Sequence, residues 1–157
     1  MNCRLSIDLN GIIPQDLMDD VKIHTQDAMA NEFYEITMAN FGPGEGENRP
    51  EEWPDLKQGY ANEAHDGDVT PTLILSGDLQ ESITPLLGEL ESASVYTDSP
   101  YANHQWGFQT EFHGKVIDIP ARPYFPIVGD ENESVLTDYA AQKCLEAAQR
   151  AVDRKLQ

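Results

Sequence analysis

Proline stands at positions 120, 123 and 126 in the segment IPARPYFPI, and this spacing limits what the chain can do there. Each ring fixes φ and removes an N–H, and the residue before each proline is pushed toward extended backbone. A regular β ladder cannot run through such a segment. It is expected to form a rigid edge or loop from which Tyr124 and Phe125 project. The stretch it closes, Ser76 to Ile127, concentrates aromatic, turn and β-branched residues. Within it Ser76 is suited to cap a short helix, with Asp78 in the first turn and Leu79 and Ile83 one turn apart. Strands are expected at about 82–87 and 92–97, turning around Gly88, and again at Lys115–Ile119.

Toward the N-terminus, Cys3, Leu5, Ile7 and Leu9 alternate with Arg4, Ser6 and Asp8, the pattern of a half-buried strand. Gly11 ends it, and Pro14 suits the first turn of a helix. Met18, Val21, Ala28, Met29, Phe33 and Ile36 recur at helical spacing, predicting a long helix to about Asn40 with a break near His24. Residues 41–52 carry loop signals, and Trp53, Leu56 and Tyr60 suggest a short helix over the core. Residues 42–71 together make a long loop, read either as a partner-contacting arm or as a partly disordered segment. Ser134 to Gln157 reads as the clearest helix. Ala141, Cys144, Leu145, Ala148, Val152 and Leu156 share its apolar face, and Lys143, Arg150 and Arg154 form a stripe on the opposite side.

These elements predict a single α+β domain spanning residues 1–157. A small antiparallel or mixed sheet of three to four strands would be packed on one side by the long N-terminal and C-terminal helices.

The charge of −18, from 28 acidic and 10 basic residues, excludes binding of nucleic acid by phosphate neutralisation, and an acidic membrane would repel the chain. It suits solubility, a negatively lined DNA conduit or mimicry of DNA. Cys3 and Cys144 are too far apart in sequence to suggest a disulfide framework and read as core residues of a reducing compartment. No apolar run approaches a membrane span, and the N-terminus does not read as a signal peptide. His104 and His113, with Glu111, would hold a metal only if a hairpin brought them together. Asp66-Gly67-Asp68 lacks the further oxygen ligands of a calcium loop. No nucleophile motif, P-loop or dinucleotide fingerprint occurs. The expectation is a protein without cofactor that is not an enzyme.

Four short motifs follow one another: Ser76-Gly77 with Leu79, Ser82 and Ile83, then the hairpin, then Tyr101, Ala102, His104, Gln105 and Gly107, then Ile119 to Tyr124. In that order and spacing, and with Trp53, Leu56 and Tyr60 before them, they resemble the Mu-type phage virion morphogenesis, or tail completion, family. The resemblance implies a structural protein of the head–tail neck or tail end that assembles into a closed ring. Its partners would be further copies of itself and other neck or tail proteins, with genome DNA passing through unbound. It would be found in the bacterial host cytoplasm during assembly and then in the virion. A DNA-mimic inhibitor and a small metal-dependent hydrolase are the competing readings. Tyr101, His104, Trp106, Arg122, Tyr124 and Phe125 are the expected interface or its support, the alternative being that Trp106, Tyr124 and Phe125 close the core. Lys143, Arg150 and Arg154 are either a solvated stripe or a contact for a neighbour's acidic surface.

Overall fold

Helix α1, Gln15–Ala39, is the element on which the other parts lean. The computed structural model describes residues 2–5, 15–41, 49–55, 62, 77–130 and 132–157. The expected strand residues 6–9, Pro14, the Ser76 cap, positions 56 and 60 of the short helix, most of the 42–71 arm and the Asp66-Gly67-Asp68 triplet lie outside these.

The inner face of α1 carries Val21, Met29, Ala30, Phe33 and Ile36, all buried. Thr25 and Thr37 are buried with them because their hydroxyls donate to the carbonyls of Val21 and Phe33, one turn back, at 2.7 and 2.8 Å. The helix runs unbroken past His24, which is exposed and turns its Nδ1 toward the Asp20 carbonyl. It ends as Asn40 N–H bonds to both Ile36 and Thr37 and Phe41 N–H bonds to Met38, a last turn tightened into i→i+3 bonds.

One face of α1 covers a three-stranded antiparallel sheet in the order β1-β3-β2, made by Asn2–Leu5, Ala93–Tyr96 and Thr84–Leu86. The central strand β3 is buried at Ala93, Ser94 and Val95 alike, so strict alternation fails where both sides are covered. Before β2 comes a single helical turn, α2, Asp78–Glu81, entered through Gly77 at φ 88 and not through a side-chain cap. Its Leu79, and Ile83 beyond it, enter the core as the spacing indicated. Residues 52–55, by contrast, are irregular around the buried Trp53.

Two hairpins complete the strands. β4, Phe108–Phe112, pairs with β5, Lys115–Ile119, through His113 and Gly114, both at positive φ as a tight two-residue turn requires. β6, Ile127–Gly129, pairs with β7, Ser134–Leu136, around a turn in which Asp130 accepts from the backbone of Asn132 and Glu133.

The second long helix, α3, Asp138–Lys155, starts four residues later than the sequence suggests. Ser134–Leu136 belong to β7, and Thr137 is the true cap, its hydroxyl accepting from Ala140 N–H at 3.2 Å. The buried face of α3 also differs from the expected one. Ala140, Cys144, Ala147, Ala148 and Ala151 are buried, whereas Ala141 is exposed and Leu145 and Leu156 remain 65% and 53% exposed. The seam is therefore rotated by about a quarter turn from the stripe of larger apolar residues. Packing explains it: α3 lies along α1 so closely that Cys144 Sγ meets the Met29 carbonyl at 3.8 Å, and only small side chains fit between.

The class is α+β, as expected. Both long helices feed one core, in which Met29, Phe33, Val95, Phe125, Cys144 and Ala148 belong to the same cluster.

Candidate functional site

The proline-spaced segment has few amide donors, and its remaining polar backbone groups meet side chains from distant parts of the chain. Gln105 does most of this. Its Oε1 accepts from the amides of both Tyr124 and Phe125, at 3.0 and 2.8 Å, and its Nε2 donates to the Phe125 carbonyl. Asn40, just past the end of α1, donates to the Tyr124 carbonyl at 2.8 Å, and the Trp53 indole donates to the Pro123 carbonyl at 3.0 Å. Arg122 N–H bonds to the His104 carbonyl at 2.7 Å, and the Pro126 carbonyl accepts from Thr137 N–H at 2.9 Å. A segment without a ladder is thus buried with its backbone satisfied.

Local structure brings Gln105 into place. Ala102–Gln105 form one 3₁₀ turn, and Gly107 follows at φ 73. A Cβ on Gly107 would lie 2.8 Å from both Ala121 N and Ile119 O, so the two motifs cross at a contact that only glycine allows. Residues 49–54 clamp the same knot from the side. Arg49 lies 3.8 Å over the Trp53 ring and donates to the Asn40 carbonyl, while the Arg122 guanidinium donates to the Pro54 carbonyl. This described portion of the 42–71 segment is docked on the body.

The predicted interface residues divide into three groups. Tyr124 and Phe125 do not project. Both are fully buried, tilted against each other at 4.8 Å and in contact with Phe41 and Phe33 respectively. Burial pushes the Tyr124 phenol well above its usual range, and its hydroxyl donates to the Ala102 carbonyl. Arg122 is also buried, and Trp106 packs against the core cluster, so these four residues support a surface and do not form one.

Tyr101 and His104 do reach the surface. Tyr101 is 50% exposed and meets the His104 ring edge-on, and His104 in turn meets Phe108 at 5.1 Å. Burial lowers the His104 pKa, its bond to the Tyr101 carbonyl opposes this, and Arg122 adds to the lowering. These rings stand at the base of the β4–β5 hairpin. Among the described residues no further strand pairs with that hairpin, which is a two-stranded arm. With five residues per strand it is about 17 Å long. His104 at its base and His113 at its tip are therefore far apart, and the convergence needed for a shared metal site does not occur. Among the described residues no cluster of His, Cys, Asp and Glu is arranged to hold a metal.

The basic residues of α3 form the third group. The expected stripe opposite the buried face is instead beside it, because that face is rotated. Arg150 bridges to Glu32 of α1 at 3.2 Å, Lys155 to Asp20 of α1 at 2.8 Å, and Lys143 to Glu146 on its own helix. The hydrogen bond from Lys155 holds the Asp20 carboxyl below its usual range, and those from Gln142 and Lys143 do the same for Glu146. Arg154 Nε donates to the Arg150 carbonyl.

The sequence reading missed the hairpin arm and the part played by Gln105 and Asn40. The arm's signal was present in the alternation of Phe108, Thr110 and Phe112 with Gln109 and Glu111, ahead of Gly114. No helix among the described residues is long and apolar enough to cross a membrane. No protein-family profile, characterised protein or solved structure matches this chain.

Proposed function

We propose that this protein is a structural component of a phage virion, at the head–tail neck or tail end, and that it acts by assembling with copies of itself into a closed ring. The reading rests on the motif resemblance together with one observation. The motif residues build a rigid knot, and beside it the two-stranded β4–β5 arm stands on an aromatic base with no third strand among the described residues. An arm of this kind is a device for contact, since an isolated two-stranded ribbon is marginal in water and gains stability when another surface covers it.

On this reading the partners are further copies and adjoining neck or tail proteins, in the host cytoplasm during assembly and then in the virion. Genome DNA passes without being bound, because phosphate is repelled by so acidic a chain. Mimicry of DNA has less support. It needs an array of free carboxylates, whereas Asp20, Glu32 and Glu146 are engaged by bases and Asp130 by its own backbone.

Negative-stain microscopy and light scattering of the purified protein test the proposal. The expected result is ring-shaped oligomers. A monomer at every concentration, alone and with the neck proteins of the same phage, would reject it.

A further inference from the structure

The rotation of α3 leaves its larger apolar residues outside the seam with α1. Ala141, Leu145, Val152 and Leu156 stand at i, i+4, i+11 and i+15, a single row along the helix over roughly 22 Å. Ala141 is exposed, Val152 is half-buried, and Leu145 and Leu156 are 65% and 53% exposed. One exposed leucine is ordinary. An apolar row along most of a helix that already buries another face is a surface fit for contact.

The residues that border this row decide what fits it. Along its outer side, at helical spacing, run Asp138, Gln142, Glu146, Gln149 and Asp153, with no base among them. Lys143, Arg150 and Arg154 stand farther round the helix, beyond this border. Lys143 reaches back to Glu146, but Asp138 and Asp153 form no ion pair among the described residues. On the inner side the row meets the α1 seam, where Lys155 is already taken by Asp20.

A second copy is a poor match. With its helix antiparallel and Leu145 set against Val152, the same border of both helices comes together, and Glu146 of one chain faces Asp153 of the other. Like charges placed so disfavour the pairing. An acidic membrane is repelled by the same border. A helix with an apolar face and bases beside it satisfies both the leucines and the acids.

We propose that this row on α3 is the docking surface for an amphipathic helix of another protein, one that carries lysine or arginine beside its apolar face. Leu145 and Leu156 are the anchors, and Asp138 and Asp153 pair with the partner's bases and fix its direction. The contact does not need the ring, and a single subunit suffices to make it.

Fluorescence anisotropy of the full chain with labelled synthetic peptides tests the proposal. The first peptide has leucines on one helical face with lysines beside them. The second has glutamates in place of the lysines, and the third is the lysine peptide in scrambled order. Only the first is expected to bind. Leu145→Gln with Leu156→Gln should weaken that binding by about tenfold or more. Asp138→Asn with Asp153→Asn should weaken it less and reduce its dependence on salt. All four positions are exposed, and circular dichroism checks that each variant is folded. Equal binding of the scrambled peptide would reduce the effect to bare charge and overturn the proposal. Absence of binding, or binding unchanged by the leucine substitutions, would also overturn it. Light scattering separates this from the ring reading. If wild-type oligomers are lost with Leu145→Gln and Leu156→Gln, the row belongs to a second copy and the proposal fails. Intact rings that bind no peptide reject the helix contact alone.

Discussion

Gln105 shows how much a single side chain can carry in this protein. One carboxamide satisfies two adjacent buried amides and a carbonyl of a segment that has no strand partner. Gln105→Leu keeps much of the volume but leaves the Tyr124 and Phe125 amides unpaired. At about 1–3 kcal/mol for each unsatisfied buried group, the expected loss is about 3 kcal/mol of stability, read as a lower denaturant midpoint. His104, one residue earlier, makes stability depend on pH. Its folded pKa lies below the unfolded one, so the unfolded chain binds more protons in the window between them. Stability is present above the ordinary histidine range and is lost as pH falls through the folded value. The melting temperature should drop from neutral to mildly acidic pH, and His104→Gln should flatten that drop. The YA-x-x-HQ-x-G and IPARPY motifs were legible as a pair, but the direction of Tyr124 and Phe125 was not. Prolines suggested a surface loop. Their missing N–H groups are also what lets the segment be buried with few partners.

At the scale of elements, the strand at Lys115–Ile119, the β2–β3 pair and the long helix α1 followed directly from sequence pattern. The face of α3 did not. Leu145, Val152 and Leu156 make the strongest apolar stripe, yet the α1–α3 seam is built on alanines and Cys144 because the helices pack too closely for leucine. Periodicity reports which residues could be buried, and the separation between elements decides which ones are. The rotation changes what the basic residues do. Arg150 helps to hold α3 against α1 through Glu32, so Arg150→Glu places two carboxylates together across the seam. The pair is largely exposed, and the expected cost is about 0.5–1 kcal/mol, measured by thermal unfolding. Glu32→Arg in the same chain should recover most of it. If Arg150→Glu leaves the melting temperature unchanged, the bridge contributes nothing to the helix pairing.

For the whole molecule, the charge of −18 sets the terms on which copies can meet. In the proposed ring every added subunit would repel those already there, and salt screens that repulsion over about 10 Å at moderate ionic strength. On the ring reading net repulsion between such acidic copies dominates, so the oligomer fraction should rise with salt when followed by size-exclusion chromatography. A fall with salt would show that opposite charges dominate the contact. The acidity was plain in the sequence. Its distribution was not, because the pairing of Asp20 with Lys155 and of Glu32 with Arg150 exists only once α3 lies along α1.

The knot around residues 120–126 has a consequence for how the protein exchanges its amide hydrogens with solvent. Exchange protection usually follows helices and strands, and a segment between two strands would be expected to exchange early. Here the amides of Arg122, Tyr124 and Phe125 are bound to the His104 carbonyl and the Gln105 side chain, deep in the interior. They should therefore exchange as slowly as those in the middle of α1, although the segment is neither helix nor strand. The slow amides would mark the interior framework of the molecule. Fast exchange at Gln109, Glu111 and Val116, whose amides face away from the β4–β5 ladder, would mark the arm, and on the proposed reading those positions should slow when the arm is covered.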